Sequence, residues 1–367
     1  MTARPWRPRF RDGVLIFSGP SRLRFVNLGD LVVKEFSVEP WVTQLVPLLD
    51  GSRGLAQIES ELSGSGSGTE VSPENVAALV GQLEREGLLA HRGALVGPVE
   101  WSPCARQLQF FDELISREPG IGNSAAELQE RLERAHVLVV GVGGVGTHVL
   151  ESLARAGVGS IELFDDDTVD VTNLHRQVLF GPEDLGRPKV IAAQERIGEL
   201  NPSGTVHARC ERFTTSSVLR SRELDLVINC ADEPDVLVQS DRVASWAQER
   251  SVPHIVGGAY GANLGVVGLT VLPGKTVCWA CARADAADIS PGRGLVRLKG
   301  RSGTTGTVGP ITAMVADVMG WDALRVLLGA RPVLANAVRE LDLHTLEWRV
   351  RGIAPQAACP DCAPLRG

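Results

Sequence analysis

The strongest constraint on the fold is a run of apolar residues that ends in a cluster of glycines. Residues 137–140 are apolar, and glycines follow at Gly141, Gly143, Gly144 and Gly146. A buried strand that breaks into a glycine-rich turn and then opens a helix lets backbone N–H groups approach phosphate oxygens. The positive end of the helix dipole points at the same place. The pattern therefore predicts an α/β fold that binds a nucleotide.

The residues after the next strand decide which nucleotide is favoured. Asp165 lies about twenty residues beyond the glycines, where a Rossmann-like fold places its ribose-binding carboxylate, so a nicotinamide dehydrogenase is the first candidate. Further on, Asn173, Arg176 and Lys189 would bring one amide and two cations near a polyphosphate. A triphosphate whose charge grows during transfer needs that neutralisation more than a dinucleotide does. The sequence favours ATP.

Four further motifs accompany these residues. They are Arg106-Gln107, residues 225–232 with Asp232 at their end, Gly309-Pro310, and two Cys-x-x-Cys pairs. Together with the nucleotide motifs they resemble the E1-like adenylyltransferase superfamily, whose bacterial members include the ThiF and MoeB activators of sulfur-carrier proteins. The resemblance covers roughly residues 101–367. It implies a Rossmann-like adenylation domain with a mixed sheet.

The resemblance also implies roles for individual residues. The implied ATP-binding set is Gly141, Gly143, Gly144, Asp165, Asp167, Asn173, Arg176, Gln177, Lys189 and Asp232. The implied catalytic set is Arg106, Arg176, Lys189 and Asp232, in which Asp232 is the Mg²⁺ ligand. Arg106 matches an arginine that relatives insert into the site of a partner subunit, which implies a homodimer. One departure is Glu233-Pro234, where sulfur-carrier activators usually have Asn after the aspartate; this puts their substrate in doubt here.

The paired cysteines predict a metal site. Cys278, Cys281, Cys359 and Cys362 form two knuckles whose four thiolates suit tetrahedral Zn²⁺ and leave no open position for catalysis. The alternative is a pair of disulfides. The N-terminus has no signal-peptide pattern, and a reducing cytosol disfavours disulfides. A structural zinc is therefore expected.

Composition excludes some classes of function. The formal net charge is −7, which argues against a general nucleic-acid binder with a basic face. No apolar run is long enough to span a bilayer. We expect a cytoplasmic enzyme without a nucleic-acid or membrane partner, whose macromolecular partner is a peptide.

The first 95 residues form a separate unit by pattern, and residues 96–367 form the second domain, with residues 92–98 as the link. Three strands are predicted first, at 13–18, 22–27 and 31–36, and three helices follow, at 39–49, 54–62 and 73–86. Ser72 and Pro73 predict the start of the last helix, and Gly87 its end.

This order of elements resembles the small winged-helix module known as the RiPP recognition element, or PqqD-like domain, which holds leader peptides. Such modules add the peptide as a strand to an open sheet edge while its apolar side chains dock against a helix. The candidates here are strand 31–36 and helix 73–86. The competing interpretation is that Val76, Leu79, Val80 and Leu83 are simply core.

The order of the two units resembles the enzymes that adenylate the microcin C precursor and its relatives. That resemblance implies that ATP and a peptide carboxylate give an acyl adenylate and pyrophosphate. Two alternatives remain: a sulfur-carrier-protein adenylyltransferase, and a non-catalytic partner that delivers leader peptides. No cysteine lies between Cys281 and Gly309, where thioester-forming relatives have their nucleophile, so a thioester step is not expected.

Overall fold

The computed structural model describes residues 6–64, 71–90, 104–217, 223–233, 235–285 and 306–362. Its contacts divide the chain into two compact units, Met1–Gln129 and Glu130–Gly367. The predicted link at residues 92–98 and the domain boundary after residue 95 fall outside the described residues, so that boundary stays a prediction.

The described part of the first unit contains a three-stranded antiparallel sheet in the order β1-β2-β3. Helices follow the sheet. The bounds are β1 Val14–Ser18, β2 Arg22–Asn27, β3 Val32–Ser37, α1 Pro40–Leu45, α2 Leu55–Gly64, α3 Pro73–Arg85, α4 Ala105–Arg117 and α5 Ala125–Arg134, the last of which crosses into the second unit. The small N-terminal sheet module predicted from the sequence is therefore confirmed.

Alternation and capping explain these elements. In β2, Leu23 and Phe25 are buried, because successive strand residues point to opposite faces. The start of α3 is as predicted: the Ser72 side chain accepts a hydrogen bond from the Asn75 N–H at 3.3 Å. Gly87 follows the end of this helix with φ +68°, a conformation that favours glycine.

One helix is shorter than predicted. The sequence pattern predicts a helix over 39–49, but the α-helix spans Pro40–Leu45 and continues as a 3₁₀ turn over Val46–Leu48. Pro47 explains the change, because its ring lacks an N–H donor and clashes with the preceding helical turn.

The second unit alternates strands and helices. The bounds are β4 His136–Val140, α6 Gly144–Arg155, β5 Ser160–Phe164, α7 Lys189–Leu200, β6 Thr205–Arg209, β7 Leu226–Asn229, α8 Val236–Glu249, β8 His254–Val256, β9 Ala259–Tyr260, β10 Leu264–Val266, β11 Leu269–Val271, α9 Trp279–Asp285, α10 Gly309–Leu327, β12 Ala337–Asp342 and β13 Trp348–Gly352. Within the described residues, β13-β12-β10-β9 form a four-stranded sheet, and six other strands form the main sheet.

The main sheet is mixed, as predicted. Its order is β6-β5-β4-β7-β8-β11; the neighbours from β6 to β8 pair in parallel, and β11 pairs antiparallel with β8. Starting from β4, the chain adds β5 and β6 on one side of this strand and then β7 on the other side. The strand order therefore reverses at β4. Ligands of open α/β sheets bind outside the carboxyl ends of the strands at such a switch point.

The two faces of the main sheet are covered by different helices. Val137 and Val139 of β4 belong to one core cluster, together with side chains of α6, α7 and α10. Leu138 and Val140 belong to another, together with Phe213 and side chains of α8. Burial on both faces explains why residues 137–140 of β4 are all apolar. Among the described residues, no helix is both long and apolar enough to cross a membrane.

Candidate functional site

A cleft lies at the carboxyl ends of β4, β5 and β7. Its lining residues are Val140, Gly141, Gly143, Phe164, Asp165, Asp166, Asp167, Lys189, Arg212, Phe213, Cys230, Ala231, Asp232, Glu233 and Gln239. Six of the residues predicted to bind ATP are in this set, since parallel strands bring their carboxyl ends to one edge. Gly144, Asn173, Arg176 and Gln177 are outside the lining.

The glycines are required by close backbone contacts. Gly141 has φ +91°, and a Cβ built on it would lie 2.5 Å from the Ala231 nitrogen. A Cβ on Gly146 would overlap the carbonyl oxygen of Gly141. Gly143 caps the N-terminus of α6 with open space where its side chain would be. The turn therefore brings β4, α6 and the segment after β7 together and leaves the helix N-terminus open to a phosphate.

Asp165 is held by two backbone donors. Its Oδ2 accepts from the Val142 N–H at 2.6 Å and its Oδ1 from the Asp167 N–H at 2.8 Å. Burial raises the pKa of Asp165, although these two hydrogen bonds act in the opposite direction. Each oxygen keeps a further lone pair, so the carboxylate can also accept a ribose hydroxyl.

Lys189 is a buried cation at the start of α7. Its Nζ forms an ion pair with Asp167 Oδ2 at 2.7 Å. The side chain of Lys189 is 8% exposed, whereas that of Asp167 is 57% exposed. The ion pair holds the ammonium group at the cleft, where a phosphate could replace Asp167 as its partner.

Asn173, Arg176 and Gln177 lie in the segment between β5 and α7, and Arg176 comes close to the glycine turn. Asn173 Oδ1 accepts from the Asp170 N–H at 3.1 Å, and Arg176 Nη1 donates to the Thr172 carbonyl at 2.8 Å. Arg176 also passes close to Gly144, where a built Cβ would lie 3.5 Å from Arg176 Cδ.

Gln177 is 2% exposed, and its Oε1 lacks a hydrogen-bond partner within the described part of the chain. The predicted Gly309-Pro310 motif reaches this place too, because a Cβ on Gly309 would lie 2.8 Å from the His175 carbonyl oxygen.

Carboxylates dominate the rest of the cleft. Asp232 follows β7 and is exposed at the cleft. The carboxylates of Asp165, Asp166 and Asp167 can present oxygens within 4.8 Å of one another. Oxygen donors of this kind fit a Mg²⁺ that also takes oxygens from phosphates and water. Asp232 lines the same cleft but is not one of these three residues, so its role as the Mg²⁺ ligand stays a prediction.

Arg106 belongs to the first unit and is exposed there, and its Nη1 donates to Gln109 Oε1 at 3.1 Å. Its predicted role in the site of a partner subunit stays a prediction.

Sequence reasoning missed Arg212, Phe213 and Gln239. Arg212 and Phe213 follow β6, and Gln239 is a 1% exposed residue of α8. A cation followed by an aromatic residue, shortly after the stretch that forms β6, was the available signal for the first two. The signal is weak, because the loop after β6 is not adjacent in sequence to the glycine turn.

The four predicted cysteine ligands come together and are buried. Their sulfurs all lie within 4.8 Å of one another; Cys278 and Cys359 are 3.5 Å apart, and Cys281 and Cys362 are 3.7 Å apart. A tetrahedron with zinc–sulfur bonds of about 2.3 Å has edges of about 3.8 Å. A disulfide needs about 2.05 Å, so the spacing fits a metal better than two disulfides.

Backbone donors support the same interpretation. The Cys278 N–H donates to Cys362 Sγ at 3.3 Å and the Gln356 N–H to Cys281 Sγ at 3.2 Å. Such donors stabilise thiolates that bind a metal. Burial raises the pKa of Cys278 and Cys281, so a bound cation would be needed to make them thiolates at neutral pH.

Comparison with known proteins places this site in a family. The model of the ThiF family matches residues 113–362. A sulfur carrier protein adenylyltransferase from Thermus thermophilus is 34% identical over 241 residues, which are 64% of this chain and 85% of that protein. The match to that enzyme therefore leaves about a third of this chain unmatched.

Two solved structures match almost the whole chain. Escherichia coli MccB with ATP is 19% identical with a TM-score of 0.75, and the Microcin C7 biosynthetic enzyme MccB in complex with N-formylated MccA is 18% identical with a TM-score of 0.72. Each match covers 97% of this chain and 99% of the other. At these identities the likeness concerns the fold.

Proposed function

The chain belongs to the ThiF family and is an ATP-dependent adenylyltransferase of the E1-like type, and we propose that its substrate is a ribosomally synthesised precursor peptide. The reaction joins a peptide carboxylate to AMP. A carboxylate oxygen attacks the α-phosphorus of ATP, the bond from that phosphorus to the bridging oxygen breaks, and pyrophosphate leaves. The product is an acyl adenylate, which a later nucleophile can attack because AMP is a good leaving group.

Different residues of the described cleft would contact the phosphates and the ribose of ATP. The turn from Gly141 to Gly144 and the N-terminus of α6 would hold the phosphates. Asp165 would accept a ribose hydroxyl. Lys189 would exchange its ion pair with Asp167 for the triphosphate, which would leave Asp167 free for the other ribose hydroxyl. Arg176 would extend over the glycine turn, close to Gly144.

Positive charge is needed because the cleft is acidic. Among its described lining residues, five are carboxylates and two are cations, Lys189 and Arg212. Asp232, assisted by the neighbouring carboxylates, would hold Mg²⁺. The ion, when bound, would neutralise charge on the triphosphate and on the departing pyrophosphate.

The first unit would hold the leader of the precursor. A groove bounded by β3, α1 and α3 is lined mainly by apolar side chains, among them Phe36, Val38, Trp41 and Leu79. Among the described residues β3 pairs only with β2, so its other edge is open, and Val33 is 48% exposed. An extended peptide could add to this edge and place apolar side chains in the groove, as a PqqD-like recognition element does.

The observation that carries the proposal is the extent of the structural likeness. MccB matches the fold over 97% of this chain, whereas the sequence match to the Thermus enzyme covers 64% of it. An enzyme that acts only on a sulfur carrier has no evident use for the N-terminal unit with its open edge and groove. MccB has been solved in complex with N-formylated MccA.

A second candidate is adenylation of a sulfur-carrier protein. The 34% identity to the Thermus enzyme favours it, and the chemistry of the first step would be the same. The third alternative, non-catalytic delivery of leader peptides, is at odds with the family match and leaves the cleft of Asp165, Lys189 and Asp232 without a purpose.

An exchange assay separates these candidates. The enzyme is incubated with ATP, Mg²⁺, labelled pyrophosphate and one acceptor: a short peptide encoded beside its gene, or a sulfur-carrier protein from the same source. We expect label to enter ATP only with the peptide, and mass spectrometry to find its AMP adduct. Exchange with the carrier alone would favour the second candidate, and no exchange with either acceptor would contradict both.

We further propose that the cysteine cluster holds a structural zinc ion. The four sulfurs fill a tetrahedron, so the ion would tie residues 359–362 to the start of α9 without an open coordination position. Elemental analysis should find about one zinc per chain.

We also propose a homodimer in which Arg106 reaches the cleft of the partner subunit. Mixing Arg106→Ala chains with Asp232→Ala chains tests this, because each variant alone would be inactive. Random re-pairing should restore about a quarter of the activity, since half of the dimers would then hold one intact site. If no activity returns, Arg106 does not act across subunits.

A further inference from the structure

If ATP binds as proposed, its phosphates, ribose and base lie in a fixed order along the cleft. The inference rests on that proposed use of ATP. Phosphates belong at the glycine turn after β4, and the ribose belongs at Asp165 after β5. The order of the strands is β4, β5, β6. The base must therefore extend from the ribose toward the segment that follows β6, because phosphate, ribose and base are joined in that order.

Arg212 is the cation in that segment. Its Nη2 lies 3.2 Å from Asp166 Oδ2 and 3.0 Å from Glu233 Oε2, and its Nε lies 3.3 Å from the same Asp166 oxygen. Asp166 follows β5 and Glu233 follows β7. The guanidinium group thus bridges two segments that leave the sheet on opposite sides of β4.

The neighbouring residue fixes the backbone of this segment. Phe213 is 1% exposed, and its ring makes edge contacts with Phe164 at 5.5 Å and Trp246 at 5.6 Å between centroids. Aromatic contacts of this kind stabilise the buried core. Phe213 is thus anchored in the core, and Arg212, the residue before it, lines the cleft.

Stability does not explain the bridge. The side chains of Arg212, Asp166 and Glu233 are 46%, 45% and 67% exposed, and ion pairs this exposed contribute little to folding. Their geometry has another consequence. Carboxylates that bind the edge of a guanidinium leave its flat faces available, and an arginine face stacks on aromatic rings.

We propose that Arg212, oriented by Asp166 and Glu233, positions the purine base of the nucleotide by stacking on it. This gives a use to Glu233, the residue at which the chain departs from the sulfur-carrier activators. Arg212 would be a positioning residue for the base and would take no part in the transfer of the adenylyl group.

The competing role for Arg212 is a contact with phosphate, and neutral adenosine distinguishes the two. The full-length enzyme is loaded with a fluorescent ATP analogue, which is displaced by adenosine or by tripolyphosphate at 0.3 M salt. For Arg212→Ala we expect displacement by adenosine to weaken about three- to fivefold, as for loss of one exposed cation–π contact. Displacement by tripolyphosphate should change less than about twofold, because salt screens the lost charge.

Arg196→Ala is the matched control, because Arg196 forms a similar exposed ion pair with Glu199 at 2.6 Å on α7. Adenosine and tripolyphosphate should displace the analogue from Arg196→Ala as they do from the unchanged enzyme. Glu233→Gln should show a smaller loss for adenosine than Arg212→Ala does. Equal losses for adenosine and tripolyphosphate, or no loss for either, would overturn the proposal. Peptide is absent from this assay, so a failure of the proposed peptide substrate would leave its result unaffected.

Discussion

The groove of the first unit and the cleft of the second differ in the kind of group that lines them. The groove is lined mainly by apolar side chains, with charge at Glu39 and at Glu86, which pairs with Lys34 at 2.6 Å. The cleft is lined by five carboxylates, two cations and two glycines, together with Val140, Phe164, Phe213, Cys230, Ala231 and Gln239. One surface gains free energy by excluding water, and the other by placing charges at fixed distances.

That difference indicates how each region tolerates change. An apolar groove beside an open strand accepts many sequences, because backbone hydrogen bonds supply affinity and pockets supply a modest preference. A cleft that stabilises developing charge fails when one group moves, because its donors must be placed in advance. We expect recognition and chemistry to be divided in this way between the two units.

The largest effect is expected for Asp232→Ala. Peptide-dependent exchange of pyrophosphate into ATP should fall by about a thousandfold, because a Mg²⁺ ligand at the site of charge development is lost. The melting temperature should be unchanged, since Asp232 is exposed. Asp361→Ala, at an acid near the cysteine cluster, is the control and should keep its exchange rate. Persistent exchange in Asp232→Ala would mean that Asp232 has been misassigned.

The next effect concerns the cysteine cluster, which belongs to the second unit alone. Cys362→Ser should lower the free energy of unfolding by more than about 3 kcal/mol, because a buried ligand set loses its metal. Cys210→Ser is the control, since Cys210 is exposed, and it should melt like the unchanged protein. Chemical denaturation followed by circular dichroism measures both. Equal stability of the two variants would contradict a structural zinc.

The smallest effect is a difference in salt dependence. Raising the salt from 0.1 to 0.5 M should weaken ATP binding several-fold, because the nucleotide carries several charges. Leader binding should change by less than about twofold, because the groove is apolar. Titrations of one enzyme preparation with ATP and with the leader, each at several salt concentrations, give the slope of affinity against salt for both ligands. Similar slopes would mean that charge governs both surfaces.

Much of the cleft could be predicted because its residues lie next to strand ends in the sequence. The glycine turn directly follows β4, Asp165 directly follows β5, and Asp232 comes three residues after β7. In a parallel sheet those ends must meet. The cysteine cluster was predictable for a similar reason, since two Cys-x-x-Cys pairs satisfy four-coordinate zinc only when they come together.

The parts that could not be predicted depend on contacts between distant segments. Arg212 reaches the cleft only because the loop after β6 meets the segments after β5 and β7. The shortening of α1 is different, because its cause is local: Pro47 lies within the apolar pattern over 39–49 and was visible in the sequence. The exposure of Val33 and the half-buried position of Leu79 could not be predicted either. The apolar pattern of strand 31–36 and helix 73–86 fits a simple core as well as a binding groove. For Val76, Val80 and Leu83 the simple-core interpretation is confirmed, because all three are buried.

The division between recognition and chemistry is tested most directly by the dependence of exchange on precursor concentration in Leu79→Asp. Leu79 lines the groove, whereas Ala78 is exposed on the same helix outside the groove lining, so Ala78→Asp is a charge-matched control. For Leu79→Asp we expect KM for the full precursor to rise about tenfold or more, because an apolar contact is replaced by a charge. Its kcat, its KM for a leaderless peptide and both constants of the control should be unchanged. An unchanged KM for the full precursor, or an equal rise for the leaderless peptide, would contradict the account.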